Sequence, residues 1–169
     1  MSIGEEGLKQ AFNSFMDQVA SGYAFDKEIL ESGFFSFIFT KKQRSNIDKL
    51  CRDNDWVNPK SPGITFTRDY FHHVLEQRTT KDGVTPEDCA KILAATFCTQ
   101  SETAVNKKGF ENDTERDQQA LIFNAKDGIV IGKSRNMYGV AVVEVSIKNL
   151  SPVTAYHARR DKVSAFGKG

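Results

Sequence analysis

Histidine changes charge near neutral pH without help from its surroundings, so the histidines are where acid–base chemistry is sought first. Two are adjacent, His72 and His73, in Tyr70-Phe71-His72-His73-Val74-Leu75. The third, His157, follows Thr154-Ala155-Tyr156. The same stretch supplies hydroxyls from Thr154 and Tyr156 and cations from Lys148 and Arg159. Together these groups can take a proton, return a proton and steady an anionic oxygen. RNA cleavage asks for little more. The 2′-hydroxyl attacks its own phosphodiester, a His or Glu removes the proton, a His supplies one, and Lys or Arg holds the phosphate. That chemistry requires no metal in principle and no cofactor.

Other chemistries lack their signatures. The chain has no phosphate-binding glycine loop, no Gly-x-Gly-x-x-Gly and no Gly-x-Ser-x-Gly. It has no His-x-x-x-His, and its three cysteines, Cys51, Cys89 and Cys98, are widely spaced with no Cys-x-x-Cys pair. A zinc site or a disulfide framework is therefore poorly supported, and reduced, buried thiols are expected. The 23 basic and 22 acidic residues leave a net charge of +1, so any phosphate-binding surface must be local. From Lys148 onward, Lys148, Arg159, Arg160, Lys162 and Lys168 face Asp161 alone. The first nine residues carry Glu5 and Glu6 and no apolar signal core. The longest apolar stretch, Phe34 to Phe39, is too short to span a bilayer. No membrane contact is expected, and the site of action is placed in the cytoplasm; any export signal would lie elsewhere or in a partner.

The elements must now position these groups. Leu8, Phe12, Phe15, Met16 and Val19 recur at three- and four-residue steps and predict a helix that Gly22 ends. Asp26 is placed to cap a second short helix, and Gly33 breaks it. Phe34, Phe35, Phe37, Ile38 and Phe39 form an apolar knot that must be buried or meet a partner. A third helix is predicted over 41–52. Residues 54–63, with Pro59, Pro62 and Gly63, read as a linker or ordered loop. They divide an N-terminal helical region, 1–60, from a core at 61–169.

In that core a short strand or helix entry at 64–67 precedes a helix over 68–78 that carries both histidines. Tyr70, Phe71, Val74 and Leu75 share its apolar side, with the histidines on opposite edges. Asp82-Gly83 makes a turn, and Thr85-Pro86-Glu87-Asp88 starts another helix. A polar loop is predicted over 107–118. Strands follow at 120–123, 129–131, 140–147 and 152–157, with turns at Asp127-Gly128 and Arg135 to Gly139. The strand over 140–147 alternates, which leaves one face wet. Alternation also sets Ala155 and His157 on one side of the last strand and Thr154 and Tyr156 on the other, unless a bulge intervenes. The fold class is α+β: N-terminal helices, then a helix pair packed on a four-stranded, mainly antiparallel twisted sheet.

The order of "FHHVLEQR", "GVTPEDCAKILAATF" and a meander closing on "SPVTAYHA" resembles the barnase/EndoU/colicin/RelE-like nuclease superfamily, most of all its phage- and polymorphic-toxin-associated members. The resemblance covers about residues 64–166. It implies metal-independent cleavage of RNA, often tRNA, and a toxin held in check by an immunity or antitoxin protein, delivered in some cases into a target cell. By position, His73 matches the helix histidine, Arg78 the basic residue after it, and Thr154 and Tyr156 the terminal strand motif. His157 falls just past that motif and is added from this sequence. The region 1–60 would serve delivery, docking or inhibitor contact.

Two other readings fit the residues. The near-neutral charge and the Phe34–Phe39 knot suit a non-catalytic interaction module, such as a phage accessory or inhibitor protein. Tyr138 and Tyr156 in the strand region suit an RNA-binding domain without catalysis. Every site residue also has a plainer explanation: boundary histidines on a helix, β-prone Thr and Tyr in a strand, a solvated lysine at an edge.

Overall fold

Periodic apolar residues and good caps account for most of the helices. The computed structural model describes residues 4–106, 119–146 and 148–166. Helix α1 (Glu5–Ala20) buries Leu8, Phe12, Met16 and Val19 along one side. Helix α2 (Lys27–Ser32) starts after Asp26, whose side chain makes no capping bond, and ends at Gly33 with φ 91°. Strand β1 (Phe35–Ile38) then leads to α3 (Lys41–Asp53), which opens with a reciprocal Thr40–Gln43 capping box.

The Phe34–Phe39 knot is therefore a strand. β1 pairs antiparallel with β2 (Gly63–Phe66), setting Phe35 opposite Phe66 and Phe37 opposite Ile64. Phe37 and Phe39 are buried. The loop between α3 and β2 is ordered by Arg44, which donates to the Ser61 carbonyl at 2.5 Å and the Pro59 carbonyl at 2.6 Å. One apolar core runs from Leu8 and Phe12 through Phe66, Phe71 and Phe97 to Phe123 and Ala155. The rings pack closely: Phe12 and Phe97 each lie about 5 Å from Phe66. The division at residue 60 thus does not separate two cores. Each buried ring contributes roughly 1.5–3 kcal/mol, so the N-terminal helices share in the stability of the remainder.

Helix α4 (Arg68–Asp82) is capped by Thr67 and runs one turn past the expected stop at Arg78, to Gly83 at φ 64°. Thr85 caps α5 (Pro86–Thr96), accepting from the Asp88 amide at 3.1 Å. The Asp88 carboxylate does not reciprocate; it accepts from the Gly132 amide at 3.0 Å.

Among the described residues five strands, not four, form the main sheet. They are β3 (Glu102–Val105), β4 (Ala120–Asn124), β5 (Ile129–Ile131), β6 (Ser134–Val145) and β7 (Leu150–Arg159). Their order is β3-β4-β6-β5, with β7 also paired to β6, and every pairing is antiparallel. The α+β class stands, and β3 is the strand not foreseen. The turn expected over Arg135 to Gly139 is strand as well. The chain reverses at Gly132 (φ 60°), and Asn136 (φ 56°) is absorbed as an irregularity near a register shift.

The wet face expected on β6 is also dry through its middle. Ala141, Val143 and Val145 join the main core. On the other side Val140 packs with Ile122 and Ala158 under Val163 and Phe166. Those two belong to α6 (Arg160–Phe166), a short helix that the basic C-terminal charges had masked. The expected loop over 107–118 and the placement of Ile147 lie outside the described residues.

Candidate functional site

The polar groups gather where the last turn of α4 leaves the core and meets β7. Tyr70, Phe71 and Val74 anchor the first half of α4. The Tyr70 hydroxyl donates to the Thr154 carbonyl at 3.1 Å and ties the helix to the strand. Continuing the same helical side by four-residue steps brings Arg78 and then Asp82 to β7. On the strand, a bulge shifts the register between Val142 and Val143, so Val142 faces Thr154 and Val143 faces Pro152. Beyond it the alternation is regular. Ala155 enters the main core, and His157 follows on the same face, opposite Gly139. At Gly139 a side chain would run into the Ile92 carbonyl and the Thr96 hydroxyl of α5, so only glycine lets that helix approach so closely.

The resulting cluster is Arg78, Asp82 and His157. Arg78 Nη1 sits 2.5 Å from Asp82 Oδ2, and His157 Nε2 lies 3.9 Å from the same oxygen. The side chains are 12%, 31% and 19% exposed, respectively. Arg78 Nε and His157 Nδ1 are buried and have no hydrogen-bond partner among the described residues. An unpaired buried polar group costs about 1–3 kcal/mol.

The Cys89 thiol lies within the field of the same cluster. Burial pushes it up to about 11; Arg78 opposes that rise, and Asp88 and Asp82 add to it. It is held as a neutral thiol. Burial also raises the Tyr156 phenol, again opposed by Arg78.

Chemically, Asp82 stands beside the imidazole, and Arg78 offers charge to an oxyanion. Since Nδ1 is buried, the part of the ring that solvent reaches lies elsewhere, and Nε2 faces the carboxylate.

The other expected site residues lie apart from this cluster. His72 is half exposed, and its Nδ1 lies 3.8 Å from Glu76 on its own helix. His73 is exposed and has no hydrogen bond or ion pair among the described residues. It precedes Asp82 by roughly 14 Å of helix rise and half a turn. Thr154 and Tyr156 are half-buried on the opposite sheet face from His157, and Lys162 Nζ stands 5.3 Å above the Tyr156 ring. Lys148 is exposed in the β6–β7 hairpin, and Arg159 is exposed opposite Met137. The structure thus unites Arg78 and His157 and separates them from His72, His73 and the Thr154 and Tyr156 side chains. Among the described residues, five of the crevices that indent the surface, of about 410 to 790 Å3, are lined by none of His72, His73, Thr154 or His157.

Asp82 and Cys89 were missed. The spacing of Arg78 and Asp82, four apart, was the available signal for the first. Asp82-Gly83 also carries a turn signal, which hides the helical pairing in the sequence. Among the described residues no group of three or more His, Cys, Asp or Glu is gathered as a metal would need. No protein family, no curated protein and no solved structure matches this chain. The nuclease resemblance therefore rests on sequence motifs alone.

Proposed function

We propose that the protein is a metal-independent endoribonuclease whose acid–base centre is His157, with Asp82 orienting it and Arg78 steadying the phosphate. The observation that carries this reading is the Asp82 carboxylate shared between the Arg78 guanidinium and the His157 imidazole at the margin of the core. The substrate class comes from the motif resemblance, as do the preference for tRNA and a restraining immunity or antitoxin protein. An RNA substrate sets the site of action in the cytoplasm. In the reaction the 2′-oxygen bonds to phosphorus as the bond to the 5′-oxygen breaks, giving a 2′,3′-cyclic phosphate and a 5′-hydroxyl. The proton leaves the 2′-hydroxyl and one arrives at the 5′-oxygen, and His157 serves one of these transfers.

The roles first expected of His72, His73 and Thr154 are not part of this centre. The docking alternative loses its main support, because the Phe34–Phe39 segment is spent on β1 and the core. The test is digestion of total RNA and of tRNA in excess EDTA. Wild type and His73→Ala should cut equally, leaving cyclic phosphate ends. His157→Ala should lose at least a hundredfold in rate while keeping its thermal unfolding transition. Full cutting by His157→Ala, or a strict need for added divalent metal, would overturn the proposal.

A further inference from the structure

We infer that a crevice between α3 and β3, continued past Lys126 onto the outer face of the sheet, is a binding track for single-stranded RNA. The inference takes its substrate class from the function proposed above and adds where the strand lies.

One crevice, of about 790 Å3, is lined by Lys42, Lys49 and Lys126 together with Ser45, Asn46 and Thr103. A second, of about 510 Å3, shares Glu102, Thr103 and Lys126 with it and adds Tyr138 and Arg160. The shared residues make the two continuous. Lys42, Lys126 and Arg160 are exposed and form no ion pair among the described residues, while Lys49 is paired with Asp53 at 2.8 Å. Four cations thus face Glu102 and Asp127 along the track. A chain of net charge +1 can bind a polyanion only through such a local excess, and here is one.

Aromatic rings continue the track. The ladder sets Tyr138 opposite Ala158 and Tyr156 opposite Val140, which makes the two tyrosines diagonal neighbours on one face. Both remain partly exposed, and Lys162 lies over the second ring. Unpaired bases stack on such rings, whereas a duplex hides its base faces. Asn124 and Val140, which lie between Glu102 and Tyr156 across the sheet, are buried, Val140 beneath Val163 and Phe166 of α6, so the track keeps to the Lys126, Tyr138 and Arg160 side of that helix.

The test is fluorescence anisotropy with a labelled, unstructured RNA oligonucleotide and a duplex of the same sequence, over a range of salt. His157→Ala protein is used so that substrate survives. The track predicts that the single strand binds better than the duplex. It predicts that Lys42→Glu with Lys126→Glu weakens binding at least tenfold and flattens its salt dependence. Tyr138→Ala should weaken binding severalfold and leave the salt slope alone. Binding that ignores these substitutions, or no binding to RNA at any salt, overturns the inference. The two proposals fail separately: cutting by wild type with charge-insensitive binding sinks the track, and charge-sensitive binding without any cutting sinks the catalytic centre.

Discussion

On the inner face of the sheet, Leu121, Phe123, Ala141, Val143 and Ala155 meet the rings brought by α1, β1, β2 and α4, the Phe97 ring and the aliphatic side of α5 in one core. On the outer face, Ile122, Val140 and Ala158 are roofed by Val163 and Phe166 of a single short helix. The same strands serve both sides, so what differs is the cover. The inner cover is thick and mostly apolar, with Thr96 and Gln43 among its few buried polar side chains and the Arg78–Asp82–His157 cluster at its margin, where α4 ends. The outer cover is thin and leaves Tyr138, Tyr156 and nearby cations in reach of solvent. The comparison separates the side that holds the chain folded from the side that can meet a long ligand, with His157 and Tyr156 back to back across β7.

The sharpest way to break that contrast is to remove a ring from each face. Phe66→Ala should cost about 3–5 kcal/mol in urea unfolding, since the ring is fully buried among other rings. Phe166→Ala should cost only about 1 kcal/mol, because its ring is half-buried. Equal losses would show that the two faces carry equal weight.

A subtler probe is alkaline pH. Cys89 keeps its proton in the folded chain up to about 11, against an ordinary value near 9. The unfolded chain releases that proton first. The stabilisation is therefore complete below pH 9 and is lost as pH rises towards 11, at a cost on the order of 2 kcal/mol. The Tyr70 phenol, also raised by burial, acts in the same direction at still higher pH. Denaturation midpoints from pH 8 to 11 should fall for wild type, and Cys89→Ala should remove most of the early part of the fall. An unchanged slope in Cys89→Ala would place the alkaline sensitivity elsewhere.

Local signals reached much of this fold. The apolar steps of α1 and the Thr85-Pro86 start of α5 are decided within a few residues, and they were legible. Strands β1 and β3 were not. Glu102-Thr103-Ala104-Val105 is short and largely polar, and it becomes strand through its pairing with β4. β1 likewise depends on β2 across the whole of α3. Positive φ at Asn136 and the Arg135–Gly139 run carry turn chemistry, yet pairing with β5 and β7 on either side of that irregularity keeps the run within β6. At the site, alternation already divided His157 from Thr154 and Tyr156. What no local pattern supplied was the identity of the helix face behind His157. Both α4 histidines stay in solvent, while Tyr70 and the turn beyond Arg78 are what reach β7.

With three histidines in the chain, each imidazole can be followed singly in a 1H–13C NMR spectrum. The decisive titration adds a 2′-O-methyl RNA oligonucleotide, which lacks the attacking hydroxyl and cannot be cut. The His157 ring signals should shift with saturation while those of His72 and His73 hold still. Movement of His72 or His73 with His157 unmoved would contradict the account and return the chemistry to the exposed face of α4.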